Sequence, residues 1–255
     1  MGKLLQTKAL AKQISEHLVT EVKGMKEKGI DPTIAVIIVQ GDPASECYAK
    51  VKQNIARKLG IRYLLTSVHP QVTETELLAK IKWLNRCPSI HGIILELPLP
   101  KHLDAKKLAA AIDPEKDVDG LSPTNKLACF TGDEGLYPAT PQSCIRILNY
   151  FGYPLKGKEQ IEKADILISA VGKANLVTTD MVHRDLIVVD AGINEIQGGI
   201  VGDVQPEVSE IVQAITPVPG GVGKVTTMIL FENLLKAVRF QANESKGEVQ
   251  LSESL

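Results

Sequence analysis

The sequence predicts an α/β protein of two lobes, the first an open parallel sheet with helices on both faces. Two apolar runs without alternation, TIAVIIV at 33–39 and HGIILE at 91–96, are typical of strands covered on both sides. Helical spacing of apolar residues lies between such runs, and strand-helix alternation at this length implies right-handed crossovers. Ligands of such sheets bind beyond the carboxyl ends of the strands.

Apolar residues every three or four positions indicate the first helix, at Leu10, Ile14, Leu18, Val22 and Met25. Gly29 can close that helix. After the strand at Thr33–Val39, a turn at residues 41–43 leads to a second helix, which Gly60 ends.

The next strand, helix and strand complete the first lobe. We expect a strand over residues 61–68 and a helix over 73–84, whose first residue forms a capping box with Glu76. The third strand, His91–Glu96, must stop at the LPLP sequence of residues 97–100, because proline cannot continue a ladder.

The second half repeats the alternation in a weaker form. Strands are expected over Asp165–Val171, Leu186–Asp190 and Ala214–Thr216, followed by a helix over residues 226–239. Residues 243–255 are polar and show no periodic apolar face, so we expect a mobile tail there.

Composition excludes several classes of partner. The 255 residues carry 29 basic and 30 acidic side chains, and a net charge of −1 offers no field for nucleic acid or an anionic membrane. No apolar run approaches the ~20 residues that span a bilayer, and the first ten residues lack a signal-peptide stretch. The four cysteines form no CxxC pair and the histidines are scattered, which predicts a cytoplasmic protein without a metal site.

Candidate catalytic residues cluster at the open end of the predicted sheet. Ser45, Tyr48 and Lys52 are spaced to share one helix face, and a lysine beside a phenol and an apolar wall can act as a general acid or base. The alternative is a surface lysine beside a half-buried tyrosine. Glu96 ends the third strand, so we expect its carboxylate in the same crevice.

Two loops complete the candidate site. Asp117 and Asp119, in the sequence KDVDG, could hold a donor-rich ligand or could simply cap a turn. The glycine-rich sequence TPVPGGVGK at residues 216–224 would let backbone amides approach a ligand. Val218 and Val225 replace residues that a phosphate-binding P-loop needs, which excludes a nucleotide triphosphatase.

Taken together, these segments resemble the bifunctional methylenetetrahydrofolate dehydrogenase and methenyltetrahydrofolate cyclohydrolase family of folate one-carbon metabolism. The resemblance is carried by Ser45 with Tyr48 and Lys52, and by GIILELPLP (92–100), PEKDVDG (114–120), PATP (138–141), residues 164–172, 192–194 and 202–204, and TPVPGGVG (216–223). It implies a folate-binding catalytic lobe over residues 1–120, on which a helix at 226–240 packs, and a truncated Rossmann-like lobe over 121–225.

The resemblance also implies roles for individual residues. Tyr48 would stack on the folate, Lys52 would handle the proton of the cyclohydrolase reaction, and Asp119 would hold the amino edge of the pterin. The implied catalytic residues are Lys52, Tyr48, Glu96 and Asp119. The implied contacts with the tetrahydrofolate substrate are Tyr48, Leu97, Pro98, Leu99, Asp119, Pro219, Gly220, Gly221 and Val222.

The family's other activity passes a hydride to NADP, whose pyrophosphate rests on a glycine-rich turn. In relatives a strand, that turn, a helix and a second strand lie between the positions matching Gly157 and Ala164. This chain has only the six residues Lys158–Lys163 there, whereas such a unit needs about 30. We therefore expect NADP affinity to be largely lost, with residual contacts at Val171, Gly172, Gly192 and Ile193. The sequence DILISAV would then form a bare sheet edge unless a partner, a swapped segment or the tail covers it, which favours a homodimer or a hetero-oligomer.

Glu96 is a second departure, because the family has glutamine there. A carboxylate beside Lys52 favours the ammonium form and weakens the lysine as a base. Three functions remain open: a cyclohydrolase that has lost the dehydrogenase activity, a non-catalytic folate-binding or partner-subunit protein, and an intact bifunctional enzyme that holds NADP in an altered way.

Overall fold

The computed structural model describes residues 2–153, 164–196 and 199–253, and beyond residue 242 it describes the backbone alone. The six-residue segment Lys158–Lys163, on which the prediction of lost NADP affinity depends, lies outside the described residues.

Strands and helices alternate along the described chain. The strands are β1 (Lys3–Leu4), β2 (Thr33–Val39), β3 (Arg62–Val68), β4 (Gly92–Leu95), β5 (Ile166–Ser169), β6 (Ile187–Asp190), β7 (Asn194–Ile196), β8 (Gly199–Val201) and β9 (Ala214–Ile215). The helices are α1 (Lys8–Glu27), α2 (Pro43–Leu59), α3 (Glu74–Arg86), α4 (Ala105–Ala110), α5 (Pro123–Thr131), α6 (Ala139–Tyr150) and α7 (Val222–Glu253). This order confirms the predicted α/β class.

The chain divides into two compact units, and each unit combines two separate stretches of sequence. The first unit contains Ser15–Ala139 and Leu230–Leu255, and the second contains Met1–Ile14 and Thr140–Ile229. The division lies beyond the boundary expected at residue 120, because the buried Asp117 carboxylate accepts hydrogen bonds from residues 121, 122 and 125 and so ties them to the first unit.

The first unit contains a parallel sheet in the order β3-β2-β4. Every residue of β2 is buried, as its continuous β-branched sequence predicts. Asp42 caps the start of α2 and Gly60, at a φ of +77°, ends it. Because α2 follows β2 directly, its first turns lie at the carboxyl end of the sheet, where ligands of such sheets bind.

From Leu230 onward, α7 belongs to this unit. The buried Asn233 amide donates to the backbone oxygens of Val118 (2.8 Å) and Tyr137 (3.0 Å). Lys236 donates to the Gly135 oxygen at 2.8 Å. One helix therefore adds hydrogen bonds to two neighbouring loops, at Val118 and at residues 135–137.

The end of α7 differs from the sequence-based expectation. The helix continues to Glu253, so the backbone of residues 243–253, for which a mobile tail is expected, is helical. Glutamate, lysine and glutamine are good helix formers, and a helix that is already formed extends without a new nucleation cost. The polar composition therefore did not indicate the backbone conformation.

The second unit contains a sheet in the order β1-β9-β6-β5, in which all pairs are parallel, and a β7-β8 hairpin. Within the described sheet β5 is at one edge, and Ile168 on it is 43% exposed. The strand β1 was not predicted, because two residues carry no periodic signal.

None of the described helices combines the length and the hydropathy that a bilayer crossing requires.

Candidate functional site

The first turns of α2 carry the polar residues that the spacing predicts for one face. The Ser45 hydroxyl is buried within hydrogen-bond distance of the Asp42 carboxylate, and it lies 3.1 Å from the backbone oxygen of Leu97. This hydroxyl lowers the pKa of Asp42 below its ordinary value. Ser45 therefore joins the start of α2 to the loop that follows β4.

Lys52 and Glu96 form a close ion pair at the end of β4. The Lys52 Nζ lies 2.7 Å from Glu96 Oε1 and 2.8 Å from Oε2, and the side chains are only 15% and 8% exposed. The Glu96 backbone continues the sheet, because its N–H donates to Ile37 at 2.9 Å. The predicted convergence of these two side chains is thus present, and with both oxygens bound Lys52 is held as an ammonium ion.

Asp119 shares the electrostatic environment of this pair. Burial raises its pKa to about 6, and the carboxylates of Asp117 and Glu96 act in the same direction, while Lys52 and Lys126 oppose them. Because this value lies close to neutrality, Asp119 can change its protonation state under ordinary conditions.

Asp117 has a different role from Asp119. Its oxygens accept hydrogen bonds from the N–H groups of Leu121 (3.2 Å) and Ser122 (2.7 Å) and from the Asn125 amide (3.1 Å). Of the two interpretations left open by the sequence, Asp117 therefore fits the capped turn, which holds its neighbour Asp119 in place.

Tyr63 on β3 belongs to this environment and was missed by the sequence analysis. Its hydroxyl donates to the Ala49 oxygen of α2 at 3.1 Å. Burial, and secondarily the Glu96 carboxylate, raise its pKa above the ordinary value. Tyr63 is placed by the pairing of β3 with β2, in which it lies opposite Ile34. Pairing between separate segments leaves no signal in the local sequence.

The remaining expected folate contacts of the first unit lie in the loop after β4 and on α2. Leu97 is 45% exposed, Pro98 is also exposed, and Leu99 and Tyr48 are half-buried. All four therefore retain surface that a ligand could contact.

The glycine-rich loop lies in the second unit, where Thr7 anchors it. The buried Thr7 hydroxyl lies 3.0 Å from the Gly220 oxygen and 2.9 Å from the Gly221 oxygen. Gly220 has a φ of +102°, and a Cβ at Gly221 would lie 2.4 Å from the Pro217 oxygen. Backbone geometry therefore requires these glycines; Pro219 lies in the same turn, and Val222 is the first residue of α7.

Two buried aspartates organise the positions expected to contact a dinucleotide. Asp203 accepts hydrogen bonds from the N–H groups of Val171 (2.7 Å), Gly172 (3.3 Å) and Lys173 (2.9 Å). Burial acts to raise its pKa, but the hydrogen bonds to Asn194, to this turn and to Ser169 hold that pKa below the ordinary value. Consecutive amides of this kind commonly bind phosphate, and here an internal carboxylate already occupies them.

The position of the Asp203 carboxylate also explains why residue 192 is a glycine. A Cβ there would lie 2.2 Å from Asp203 Oδ1, and a Cβ at Gly202 would lie 1.9 Å from Asp190 Oδ2. Val171 and Ile193 are 65% and 50% exposed. Neither aspartate was predicted, although Asp190 is the last residue of the buried strand β6, a position typical of site residues.

Among the described residues, no group of three or more histidine, cysteine or carboxylate side chains is arranged to hold a metal ion.

Comparison with known proteins gives matches along most of the chain. Residues 5–119 match the family model "Tetrahydrofolate dehydrogenase/cyclohydrolase, catalytic domain". Residues 156–242 match "Tetrahydrofolate dehydrogenase/cyclohydrolase, NAD(P)-binding domain".

Individual relatives agree with these matches. Bifunctional protein FolD 2 of Desulfitobacterium hafniense is 42% identical, over 96% of this chain and 100% of the relative. The structure of bifunctional FolD from Campylobacter jejuni is 35% identical, with a TM-score of 0.86 over 94% of this chain and 99% of that one. A FolD structure from Trypanosoma brucei, complexed with NADP and an inhibitor, is 26% identical, with a TM-score of 0.85 over 94% and 98%.

The alignment with the Desulfitobacterium hafniense relative spans 284 positions, although this chain has 255 residues. At least 29 positions of that relative therefore have no counterpart here.

Proposed function

This chain belongs to the tetrahydrofolate dehydrogenase/cyclohydrolase family, and we propose that it acts in folate one-carbon metabolism as a 5,10-methenyltetrahydrofolate cyclohydrolase. Water adds to the substrate and 10-formyltetrahydrofolate is released, while the NADP-dependent methylenetetrahydrofolate dehydrogenase activity is lost. The observation that carries the proposal is the Lys52–Glu96 pair, with Asp119 in its electrostatic environment.

The chemistry of the substrate suits these groups. The methenyl carbon is electrophilic and cationic, so hydrolysis needs an acceptor for a water proton and a donor for ring opening. Lys52, held as an ammonium ion, is equipped for the donor step. Asp119 binds the amino edge of the pterin, and Tyr48 stacks on the folate. At neutral pH most Asp119 carboxyls are ionised and can accept those N–H groups.

Loss of hydride transfer is supported by the second unit. The six residues Lys158–Lys163 are far fewer than the about 30 that a strand, helix and strand need. The Asp203 carboxylate also satisfies the amides of residues 171–173, so this turn offers no N–H groups to a pyrophosphate. Pyrophosphate binding in Rossmann-like folds depends on such groups.

Two other functions have some support. The match of residues 156–242 to an NAD(P)-binding domain favours an intact bifunctional enzyme that holds NADP in an altered way. The buried Lys52–Glu96 pair favours a non-catalytic folate-binding or partner-subunit protein, because a paired ammonium ion cannot act as a base.

One set of assays separates these functions. The purified chain should hydrolyse methenyltetrahydrofolate, followed by loss of the methenyl chromophore, and should show neither NADP binding by calorimetry nor methylene-dependent NADP reduction. Lys52→Met should abolish hydrolysis and leave tetrahydrofolate binding nearly intact, whereas Lys50→Met, at an exposed site of the same helix, should change neither.

Each contrary result points to one alternative. Saturable NADP binding at micromolar concentration, or NADP reduction, would establish the bifunctional enzyme. Folate binding without hydrolysis would establish the non-catalytic protein.

We also propose that the chain forms a homodimer. Ile168 on β5 is exposed, and Leu64 and Leu65 on β3 are 37% and 38% exposed, each on a strand at the edge of its described sheet. Sheet edges with exposed apolar side chains favour association. Light scattering after size exclusion should give twice the mass of the 27.6 kDa chain, and a monomer mass would contradict the proposal.

A further inference from the structure

Glu96 stands at the centre of the site, in direct contact with the residue expected to move the proton. We propose that Glu96 accepts the proton of the attacking water, and that Lys52 donates a proton to the pterin nitrogen that leaves the methenyl carbon. This inference deepens the proposed cyclohydrolase function and rests on it.

Lys52 acts as a hydrogen-bond donor to both oxygens of Glu96. An amine at 2.7 and 2.8 Å from both oxygens of a buried carboxylate donates two hydrogen bonds and carries a full positive charge. It has no lone pair with which to accept a proton from water. A lysine in this arrangement can serve as an acid, and the base must be another group.

The Glu96 carboxylate can accept further hydrogen bonds besides those from Lys52. A carboxylate has about four acceptor positions, and Lys52 takes one on each oxygen. The Glu96 side chain is 8% exposed, and its backbone is fixed by the hydrogen bond to Ile37. One acceptor position on each oxygen is thus left, at a fixed place, for a water molecule.

The neighbouring titratable groups have other partners or other tasks. The Tyr63 hydroxyl donates to Ala49, and Asp117 is bound by the turn that follows it. Asp119 is required for the pterin amino edge under the proposed function. Among the described residues that face Lys52, Glu96 is therefore the carboxylate that remains for the water.

Protons and charge are conserved through the proposed steps. Water oxygen bonds to the methenyl carbon while Glu96 takes one water proton, which gives a neutral carbinolamine, and Glu96 releases that proton to solvent. Glu96 then takes the hydroxyl proton as the carbonyl forms, the bond from carbon to the pterin nitrogen breaks, and Lys52 protonates that nitrogen. A proton passes from Glu96 to Lys52 across their contact and restores the ion pair. One proton is released overall, as hydrolysis of a cation to a neutral product requires.

The test compares Glu96→Gln and Glu96→Ala with a control, Glu27→Gln, at the exposed end of α1. General-base catalysis is worth about 100-fold or more. We therefore expect Glu96→Gln to lower the hydrolysis rate at least about 100-fold and to change the tetrahydrofolate Kd less than threefold. Added formate should restore part of the activity of Glu96→Ala in proportion to its concentration, because a small carboxylate can occupy the vacated space. A purely structural role would give no such rescue.

The contrary outcomes are distinct. Hydrolysis by Glu96→Gln at the parent rate or faster, or loss of activity in Glu96→Ala that formate does not restore while the variant still binds tetrahydrofolate, overturns this inference alone. A parent chain that binds tetrahydrofolate without hydrolysing methenyltetrahydrofolate overturns both this inference and the proposed function.

Discussion

Removal of the Lys52 charge provides a direct measure of how the buried ion pair contributes to stability. In Lys52→Met, the Glu96 carboxylate keeps its charge but loses its partner in a place where its side chain is 8% exposed. Breaking a buried pair in this way costs about 3–5 kcal/mol. We expect about 3 kcal/mol, because Lys52 is 15% exposed and water can reach part of the vacated volume.

Replacement of both partners should largely reverse this loss. In Lys52→Met with Glu96→Leu no charge remains buried, and apolar replacements of buried pairs are often neutral or stabilising. We expect this double variant to lie within about 1 kcal/mol of the parent and so to be at least about 2 kcal/mol more stable than Lys52→Met.

The assay must report on the unit that contains the pair. Urea unfolding followed by circular dichroism gives the free energy of unfolding, and amide exchange of β2 and β4 assigns the change to the sheet around the pair. The control Lys50→Met should stay within about 0.5 kcal/mol of the parent. A loss below about 1 kcal/mol in Lys52→Met, or a double variant as unstable as the single one, would contradict a buried, paired charge at Glu96.

Three further predictions concern buried contacts elsewhere. Gly192→Ala should destabilise by about 3 kcal/mol or prevent folding, because its Cβ would overlap the Asp203 carboxylate, whereas Gly24→Ala in open space on α1 should stabilise by about 1 kcal/mol in the same thermal scan. Asn233→Ala should cost about 2–3 kcal/mol in urea unfolding, because two backbone oxygens lose their donor, and a cost below about 1 kcal/mol would contradict this. Burial raises the pKa of Asp119 from 3.8 to about 6, so the folded chain keeps a proton that the unfolded chain releases, and stability should fall as pH rises between these values. Asp119→Asn should therefore be more stable than the parent by about 3 kcal/mol at neutral pH and equal to it in acid, and equal stability at neutral pH would contradict the assignment.

The sequence was sufficient for elements whose signal is local. The strand β2 was predicted with its observed bounds, because a short apolar, β-branched run without alternation is typical of a strand covered on both faces. The capping box of Thr73 and Glu76 is present, since both hydrogen bonds form within one helical turn. The approach of Lys52 to Glu96 was also predictable, because it follows from helix spacing and from the position of a strand end.

Features that depend on distant pairing were not predictable from local patterns. The strand β1 exists only through its ladder with β9, more than 200 residues away along the chain. Asp203 is fixed by amides of residues 171–173, about 30 residues earlier, and the anchoring of Gly220 by Thr7 crosses nearly the whole chain. None of these contacts alters the periodicity of the segments that make them.

The division of the chain has a consequence for biosynthesis. Residues 15–139 emerge from the ribosome well before residues 230–242, yet Asn233, Lys236 and Gln241 supply hydrogen bonds that hold loops of the earlier segment. Leu234 and Leu235 are likewise fully buried. Residues 15–139 therefore cannot complete their unit until residues 230–242 have been translated, and fragments ending before α7 should fold less stably than the 255-residue chain.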